Sequence, residues 1–505
     1  MMKLQPRLIA ACVCVFFAAA AARAQQASST LPTQANQLVL SGRAGQSGSV
    51  SAQQSAVPGT TQSVNTLNST VSVQGPFAQS IRADKPLQGR LSLREAVQRG
   101  LVYNLGSVGL TNSAMQAHGQ MRVARSPLLP NLNASLREVE QQSNLAAQGL
   151  RIRGVPQIVG PFNFFDLRAT LTQNLADVTA WNNYRSAQEN MKAVQLAARD
   201  ARDLVVLAVG GAYLQVLAAQ ARVESAKAQV ETAKALFEQT RQRREVGLNP
   251  QLDVNRSQVA FQTQQQRLTT LQNDLAKQKI NLARIIGLSA STNIELSDQV
   301  PYSPAPALNY DEALRTALAT RADLKSADAA ARAAEMAHTA ARAERLPSLA
   351  VSADYGAIGI NPSQSHGTFN VTGIVRFALW QGGKTEGDIE QASAALNQRR
   401  AEANEIRGRI ESDLKNAFLD VEAAASQLQV AESNQKVAQE NLGLTRDRMS
   451  AGIADSVEVT QAQETLATAN LDYITSLLAH NLAKLSLARA LGNAEQKLPA
   501  YLTIP

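Results

Sequence analysis

An internal repeat constrains the fold of this chain more than any other feature of its sequence. Leu129-Pro130 recurs as Leu346-Pro347, a separation of 217 residues, and Gly247 recurs as Gly452, a separation of 205 residues. Self-similarity at a nearly fixed spacing indicates a duplicated structural unit, so two tandem halves are predicted. The change from 217 to 205 places 12 extra residues in the first half, after Pro130 and before residue 212.

Each half has the same predicted order of elements. A helical stretch ends near Pro130 or Pro347, two strand-like runs follow, and a very long helical stretch, a glycine turn and a shorter helix complete the half. The helical stretches are 93–126, 185–245 and 251–286 in the first half and 311–344, 384–450 and 456–491 in the second. At about 1.5 Å per residue, the long helices span about 90–100 Å and the last helices about 50 Å.

Composition supports long helices over several ordinary compact domains. Aromatic residues make up only 4% of the 505 residues, although 45% are hydrophobic, and aromatic side chains supply much of the area of a compact core. Cys12 and Cys14 are the two cysteines, and the four histidines stand far apart. We therefore expect no metal site, no cofactor and no cysteine nucleophile. The net charge of +8 is spread along the chain, and no nucleic-acid partner is expected.

The N-terminus resembles a secretory signal. Residues 1–24 combine a basic start, an apolar run over 8–22 and a small-x-small site at 22–24. Lipidation at Cys12 is the alternative. Residues 25–90 are polar and of low complexity, which predicts a flexible extension. Wrapping of a neighbouring subunit is a second possible role for it.

The strand-like runs alternate between apolar and polar residues. The apolar positions are Leu132, Ala134 and Leu136; Phe165, Leu167, Ala169 and Leu171; Leu349, Val351, Ala353 and Tyr355; and Phe369, Val371, Val375 and Phe377. Runs of about ten residues suit a tilted membrane strand, while the pattern alone also fits a soluble sheet with one buried face. The signal segment and flanking aromatics such as Trp181 and Trp380 favour the membrane. Open edges are not tolerated in lipid, so four strands per chain require oligomerisation.

This combination resembles the TolC-like outer membrane efflux protein family over roughly residues 90–495. The resemblance rests on the tandem halves, on the Leu-Pro-x-Leu entry to the first strand of each half, and on residues 377–383 after the last strand. It rests also on Val246-Gly247-Leu248 with Leu252-Asp253-Val254, which recur as Ala451-Gly452-Ile453 with Val457-Glu458-Val459.

The resemblance implies a mainly α fold with membrane β structure. Three copies would form a 12-stranded β-barrel, four strands per chain, that continues into a long α-helical periplasmic tunnel. The expected segments are a signal peptide (1–24), an N-terminal extension (25–90), a first repeat (91–288, strand hairpin about 129–175), a linker (289–309), a second repeat (310–493, strand hairpin about 346–380) and a tail (494–505).

The resemblance also implies function, location and partners. The chain would be a homotrimeric channel of the bacterial outer membrane that extends into the periplasm. It would contact outer membrane lipid and dock on a periplasmic adaptor and an inner membrane transporter. A periplasmic adaptor or coiled-coil structural protein is the alternative. An exported hydrolase is disfavoured, because no Gly-x-Ser-x-Gly or metal motif is present, so no enzyme is expected.

Candidate site residues cluster at the ends of the long helices. By the resemblance, Asp253 and Glu458 line the periplasmic aperture, and Gln461 occupies a position that is acidic in the family. Helix capping is the alternative role of the two acids, since 455–458 has capping-box spacing and Asn249-Pro250 precedes Asp253. The tip turns and candidate adaptor contacts are Val246, Gly247, Leu248, Leu252, Ala451, Gly452, Ile453 and Val457.

The sequence departs from the family at several positions. Asn174 and Ala378 stand where a proline is frequent at the strand exits, and the first half lacks the Gly-Gly pair that 382–383 provides. Met449 and Ala454 replace the Tyr and Arg that help to close the tunnel in well-studied members, so any closing contact must use other residues. The 12 extra residues are expected to lengthen the external loop at about 141–162, because loops absorb insertions at low cost.

Overall fold

The computed structural model describes residues 48–56, 63–71, 75–82, 87, 89–147, 149–150, 153–298, 303–306 and 308–502. The predicted signal peptide and Cys12 lie outside the described residues. Helices make up most of the described chain. One strand hairpin interrupts them in each half, and the two hairpins together form a four-stranded sheet.

In the first half, α1 (Leu93–Tyr103) and α2 (Leu105–Arg125) lead into strands β3 (Asn131–Asn144) and β4 (Ile158–Ala176). They are followed by the long helix α3 (Val178–Glu245) and by α4 (Gln251–Ile285). The second half repeats this order with α5 (Tyr310–Thr320), α6 (Ala322–Ala343), β5 (Ser348–Gly359), β6 (Ser365–Arg376), α7 (Lys384–Ser450) and α8 (Ser456–Ala490).

The first helical stretch of each half is broken, whereas the sequence predicted it to be continuous. Asn104 (φ −65°, ψ 131°) and Arg321 (φ −56°, ψ 125°) have extended backbones between two helices. The Asn104 side chain caps α2 by accepting from the Gly106 N–H at 3.0 Å, and it donates to the Phe77 carbonyl at 2.7 Å. Arg321 is buried and bonds to Asp323 and Asp413. These tertiary contacts stabilise breaks that helical periodicity does not reveal.

Two further differences lie near the ends of the chain. Strands β1 (Gly48–Ala56) and β2 (Ser63–Val71) form an antiparallel pair inside the segment that was expected to be a flexible extension. β2 contains Val64, Thr66, Thr70 and Val71, which are residue types that favour strands, and it lies beside α8. The expected C-terminal tail contains a short helix, α9 (Ala494–Leu502).

The main hydrophobic core lies where α3 and α8 pack together with the breaks of both halves. Its largest fully buried members include Tyr213 and Leu214 of α3 and Leu485 of α8. Within the described chain, α3 has one segment apolar enough to cross a membrane, but 83% of that segment is buried inside the fold. α3 packs along α2 and α4 of its own half and along α6 and α8 of the other, so the two halves share one helical layer.

The strands form one antiparallel sheet in the order β3-β4-β5-β6. The central pair joins the two halves, with Ala169 opposite Tyr355 and Leu171 opposite Ala353. β3 and β6 are the edges of this sheet, and both carry unpaired backbone groups on their outer sides.

The first strand hairpin is longer than the second, but the extra residues are not confined to a loop. β4 has 19 residues, whereas β5 and β6 have 12 each. Residues 145–157 connect β3 to β4, and only 360–364 connect β5 to β6. Much of the expected loop at 141–162 is therefore strand, because the pairing of β3 with β4 continues to Asn144 and Ile158 after a bulge near Gln141.

Candidate functional site: helical tips and an amphipathic sheet

The two helical hairpins end in turns of the same construction. Gly247 (φ 78°) follows α3, and Gly452 (φ 74°) follows α7. The Leu248 N–H donates to the Arg243 carbonyl at 2.8 Å, and the Ile453 N–H donates to the Arg448 carbonyl at 2.9 Å. This pattern ends a helix with one left-handed residue, a conformation that glycine adopts without a steric cost. The two predicted tip turns thus form the same backbone structure.

Apolar side chains project from both tips. Val246, Leu248 and Leu252 are exposed on the first tip, and Ile453 is exposed on the second. Ala451 is also exposed, and Val457 is half-buried. Exposed apolar groups on a turn between two polar helices are typical of a contact surface for another protein.

The two acidic candidates sit in the first turns of α4 and α8. Asp455 caps α8, because its Oδ1 accepts from the N–H groups of Val457 at 3.0 Å and Glu458 at 2.9 Å. α4 begins after Pro250 without a side-chain cap. Asn249 therefore does not provide the cap that the sequence pattern predicted. A carboxylate in a first helical turn is favoured by the helix dipole in either case.

Each acidic candidate has an arginine neighbour. Arg448 Nη1 lies 3.1 Å from Glu458 Oε2, which joins α7 to α8 across the second turn. Arg256 Nη1 lies 3.9 Å from Asp253 Oδ1 within α4. Gln461 is exposed one helical turn after Glu458. Each carboxylate at the tips therefore has a guanidinium partner. The sequence analysis did not identify these arginine partners.

An apolar cluster behind the second tip was also not identified. It contains Leu236 of α3, Leu442 and Met449 of α7, and Val459 and Ala462 of α8. Met449, which occupies one of the positions that depart from the family pattern, is only 6% exposed. The spacing of Leu442 and Met449, two turns apart on one helix face, is the signal that could have revealed it.

A buried pair of hydroxyl groups lies behind the first tip. Thr240 of α3 and Ser257 of α4 are buried, and their hydroxyl oxygens are 2.6 Å apart. A buried hydroxyl pair satisfies its own hydrogen bonds and fixes the register of the two helices. The two tips therefore have similar turns but different internal packing.

One face of the sheet is apolar and exposed. Leu132, Leu136, Leu167, Tyr355, Phe369 and Val371 are on this face, and none of the described elements covers them. The apolar surface continues past β6, where Leu379 is 94% exposed and Trp380 is 87% exposed. Trp181, at the start of α3, is exposed at the same end of the sheet. An apolar band bordered by tryptophan is typical of a strand surface in lipid.

The opposite face of the sheet is polar. Arg168 of β4 bonds to Asp166 of β4, to Asp354 of β5 and, at 3.2 Å, to the Thr368 hydroxyl of β6. These bonds cross three strands on the face that a barrel would turn towards water. Among the described residues, no group of three or more His, Cys, Asp or Glu side chains could hold a metal ion.

Comparison with known proteins agrees with this geometry. The model of the outer membrane efflux protein family matches residues 112–288 and 313–493. The chain is 23% identical over 420 residues to the pyoverdine export outer membrane protein OpmQ of Pseudomonas aeruginosa, covering 81% of this chain and 86% of that protein. It is 22% identical over 383 residues to the outer membrane protein TolC of Vibrio cholerae, covering 74% of this chain and 84% of that protein.

The fold is likewise shared with solved structures. The outer membrane protein VceC from Vibrio cholerae superposes with a TM-score of 0.68 at 18% sequence identity, over 79% of this chain and 96% of that one. The family of the chain follows from the family match together with the duplicated strand hairpins, the amphipathic sheet and the helical hairpins. It belongs to the outer membrane efflux protein family, and it is a channel for efflux in the cell outer membrane that extends into the periplasm.

Proposed function

We propose that three copies of this chain close one barrel and one helical tunnel, and that the tunnel receives substrate from an adaptor and an inner membrane transporter. The observation that carries this proposal is the four-stranded sheet with two open edges and an uncovered apolar face. In lipid, β3 and β6 need hydrogen-bond partners, and further copies of the same sheet supply them.

The assembly is tested by cross-linking and native mass measurement of outer membrane extracts in mild detergent. We expect a species of three chains that persists when the detergent concentration is raised. A stable single chain recovered from the outer membrane would contradict the shared barrel.

The apolar tips are the proposed adaptor contacts. The exposed apolar side chains there are Val246, Leu248 and Leu252 on the first tip and Ile453 on the second. Small apolar groups at the end of a helical hairpin suit end-to-end packing against similar turns of another protein, since burial of each contributes about 1–2 kcal/mol.

This contact is tested with Leu248→Asp combined with Ile453→Asp. The double variant should assemble in the membrane but lose co-purification with its adaptor and lose efflux. Val430→Asp is the control, because Val430 is also exposed on α7 but lies far from the tip. If the tip variant and the control retained the adaptor equally well, the tips would not be the docking surface.

Asp253 and Glu458 are the proposed lining of the periplasmic aperture, with Gln461 beside them. Their position in the first helical turns after the tips supports this proposal. Both carboxylate side chains also stay partly exposed beside their arginine neighbours. Three copies would bring six carboxylates to one narrow opening, where low-dielectric walls strengthen their field.

A further inference from the structure

The polar face of the sheet becomes apolar at the outer end of the first strand hairpin. Arg137 and Asp166 lie opposite each other on this face and are its last charged pair in β3 and β4. Side chains alternate between the two faces of a sheet, so Val139, Phe162 and Phe164 are the next members of the same face. Val139 lies directly opposite Phe164.

The apolar face of the sheet changes in the opposite sense. It carries Leu132 and Leu136, but its next positions are Glu138, Glu140 and Asn163, which are all exposed. A slip of one residue in the pairing would exchange the two faces. The pairing of β3 with β4 runs without a shift over 131–141, so the reversal of polarity is written in the sequence itself.

This reversal lies where the sheet leaves the membrane. β5 and β6 have 12 residues each, and about 9–11 residues of a tilted strand span the hydrocarbon. β4 pairs with β5 from Phe165 onwards, so 158–164 form a two-stranded ribbon with β3 beyond the second hairpin. The long helices leave from the opposite end of the sheet, which places the ribbon on the external side.

Apolar side chains on this ribbon are in water and need a cover. Phe162 is 38% exposed, and Phe164 is half-buried. Leu150 and Val155, in the connection at the end of the ribbon, are exposed as well. Exposed apolar groups concentrated in one place outside the membrane are typical of a contact surface.

The symmetry of the proposed barrel determines what covers them. The polar face of the sheet lines the channel, so in a three-chain barrel each ribbon turns Phe162 and Phe164 towards the channel axis and Glu140 and Asn163 away from it. The apolar faces of three ribbons therefore look at one another. A two-stranded ribbon twists more strongly than a wider sheet, which allows it to lean towards the axis once it is free of β5.

We propose that the three ribbons meet over the external mouth of the channel and form an apolar gate, with Phe162 and Phe164 of each copy at its centre. This inference rests on the three-chain barrel proposed above. An apolar constriction excludes ions because water leaves it, and the gate opens when the ribbons separate. A substrate with an apolar part passes by replacing the contacts between the ribbons with its own.

The test uses the full-length channel in intact cells, with Ser135→Cys as a reporter inside the barrel. Ser135 is exposed on the polar face opposite Arg168, on the membrane side of the gate. The probe is a sulfonated dye-maleimide that is too large for general porins, so it reaches the reporter from outside through the gate. The chain without the reporter gives the background.

Phe162→Ser with Phe164→Ser should accelerate labelling of the reporter by about tenfold, which corresponds to about 1.4 kcal/mol of barrier. Asn163→Ser is the matched control, because it changes the residue between the two phenylalanines on the opposite face of the ribbon. The control should be labelled at the same rate as the channel that carries the reporter alone.

Disulfide cross-linking measures contact between the ribbons directly. On mild oxidation with copper phenanthroline, Phe162→Cys should link chains in pairs, because this position faces the axis in each copy. Asn163→Cys faces away from the axis and should remain unlinked. Each is a single substitution, so the comparison holds even if the double serine variant assembles poorly.

Assembly is measured on the same samples as the amount of the three-chain species. Equal labelling of the double serine variant and the control in assembled channels would overturn the gate and leave the barrel intact. Equal cross-linking of the two cysteine variants would overturn it too, because the ribbons would then not meet through one face. Absence of the three-chain species in the wild type would instead contradict the barrel on which the gate depends.

Discussion

Arg448 Nη1 lies 3.1 Å from Glu458 Oε2, and this pair connects the end of one helix to the start of the next at the second tip. At the first tip, Asp253 has its arginine at 3.9 Å on its own helix. Exposed pairs of this kind contribute about 0–1 kcal/mol to stability, so their main effect is on the local field. The two carboxylates at the proposed aperture are therefore shielded to different extents.

The entrance carboxylates should control ion selectivity. Asp253→Ala with Glu458→Ala removes two negative charges per chain, so cation selectivity should fall and block by a trivalent cation from the periplasmic side should weaken. Planar bilayer recordings measure both quantities. Glu440→Ala, an exposed change elsewhere on α7, is the control. Unchanged selectivity and block in the double variant would show that these acids act only within their helices.

The arginine partner gives the opposite prediction. Arg448→Gln leaves Glu458 without its guanidinium neighbour, so trivalent block should become stronger than in the wild type, in contrast to the double alanine variant. The same recordings measure it. Weaker block in this variant would mean that Glu458 does not face the permeating ions.

The apolar cluster behind the second tip should hold α7, α8 and α3 together. Met449→Ala creates a cavity in a site that is 6% exposed, and such changes cost about 2–5 kcal/mol. Met449→Leu conserves volume and should cost less than about 1.5 kcal/mol. Hydrogen exchange over 445–462 reports local opening and should accelerate strongly only in the alanine variant. Equal exchange in the two variants would show that the cluster does not stabilise the tip.

The repeat and the strand alternation predicted most of the fold, because both are patterns that can be seen in the sequence without knowledge of tertiary contacts. Pro130 and Pro347 end their helical stretches, and Gly247 and Gly452 end the long helices, as their backbone chemistry requires. The breaks at Asn104 and Arg321 were not predicted. They depend on partners far away in the sequence, such as Phe77 for Asn104 and Asp413 for Arg321.

The site was predicted only in part for the same reason. The turns and their exposed apolar residues follow from local sequence. The contact of Leu236 with the second tip joins residues more than two hundred positions apart. A helix face shows which residues are apolar, but it does not show which distant helix covers them.

The connection between β3 and β4 should be dispensable. The Leu145 N–H donates to the Gln157 carbonyl at 2.8 Å, and Asn144 pairs with Ile158 directly below this contact. Replacing residues 145–157 by Asn-Gly, a favoured two-residue hairpin turn, should therefore preserve the pairing and the three-chain assembly. Heat-modifiable migration of outer membrane extracts measures assembly.

A deletion inside a strand provides the contrast. Removing Ala169 shifts the rest of β4 by one residue, which moves its apolar side chains to the polar face and should abolish assembly. If the loop replacement also failed to assemble, residues 145–157 would have a structural role.

Lys484 should make stability depend on pH in a defined window. Its ammonium group is fully buried on α8, where Nζ donates to the Ser303 carbonyl at 3.0 Å and to the Ser303 hydroxyl at 2.8 Å. Burial lowers the pKa of Lys484 from 10.5 to about 8, and the neighbouring His480, which also contacts the Ser303 carbonyl, has a lowered pKa for the same reason.

Between about pH 8 and 10.5 the unfolded chain binds more protons at this lysine than the folded chain does, so the free energy of unfolding should rise with pH. The full window corresponds to roughly 3 kcal/mol, at about 1.4 kcal/mol per pKa unit. Burial raises the pKa of Tyr213, and this lowers the free energy of unfolding as pH rises further, so the comparison is best made between pH 8 and 9.5.

Lys484→Met keeps the apolar stem of the side chain and removes the titrating ammonium group. Thermal unfolding followed by circular dichroism should show a positive difference in pH slope between the wild type and this variant. Identical slopes would mean that Lys484 is not protonated differently in the two states, and that water reaches it in the folded channel.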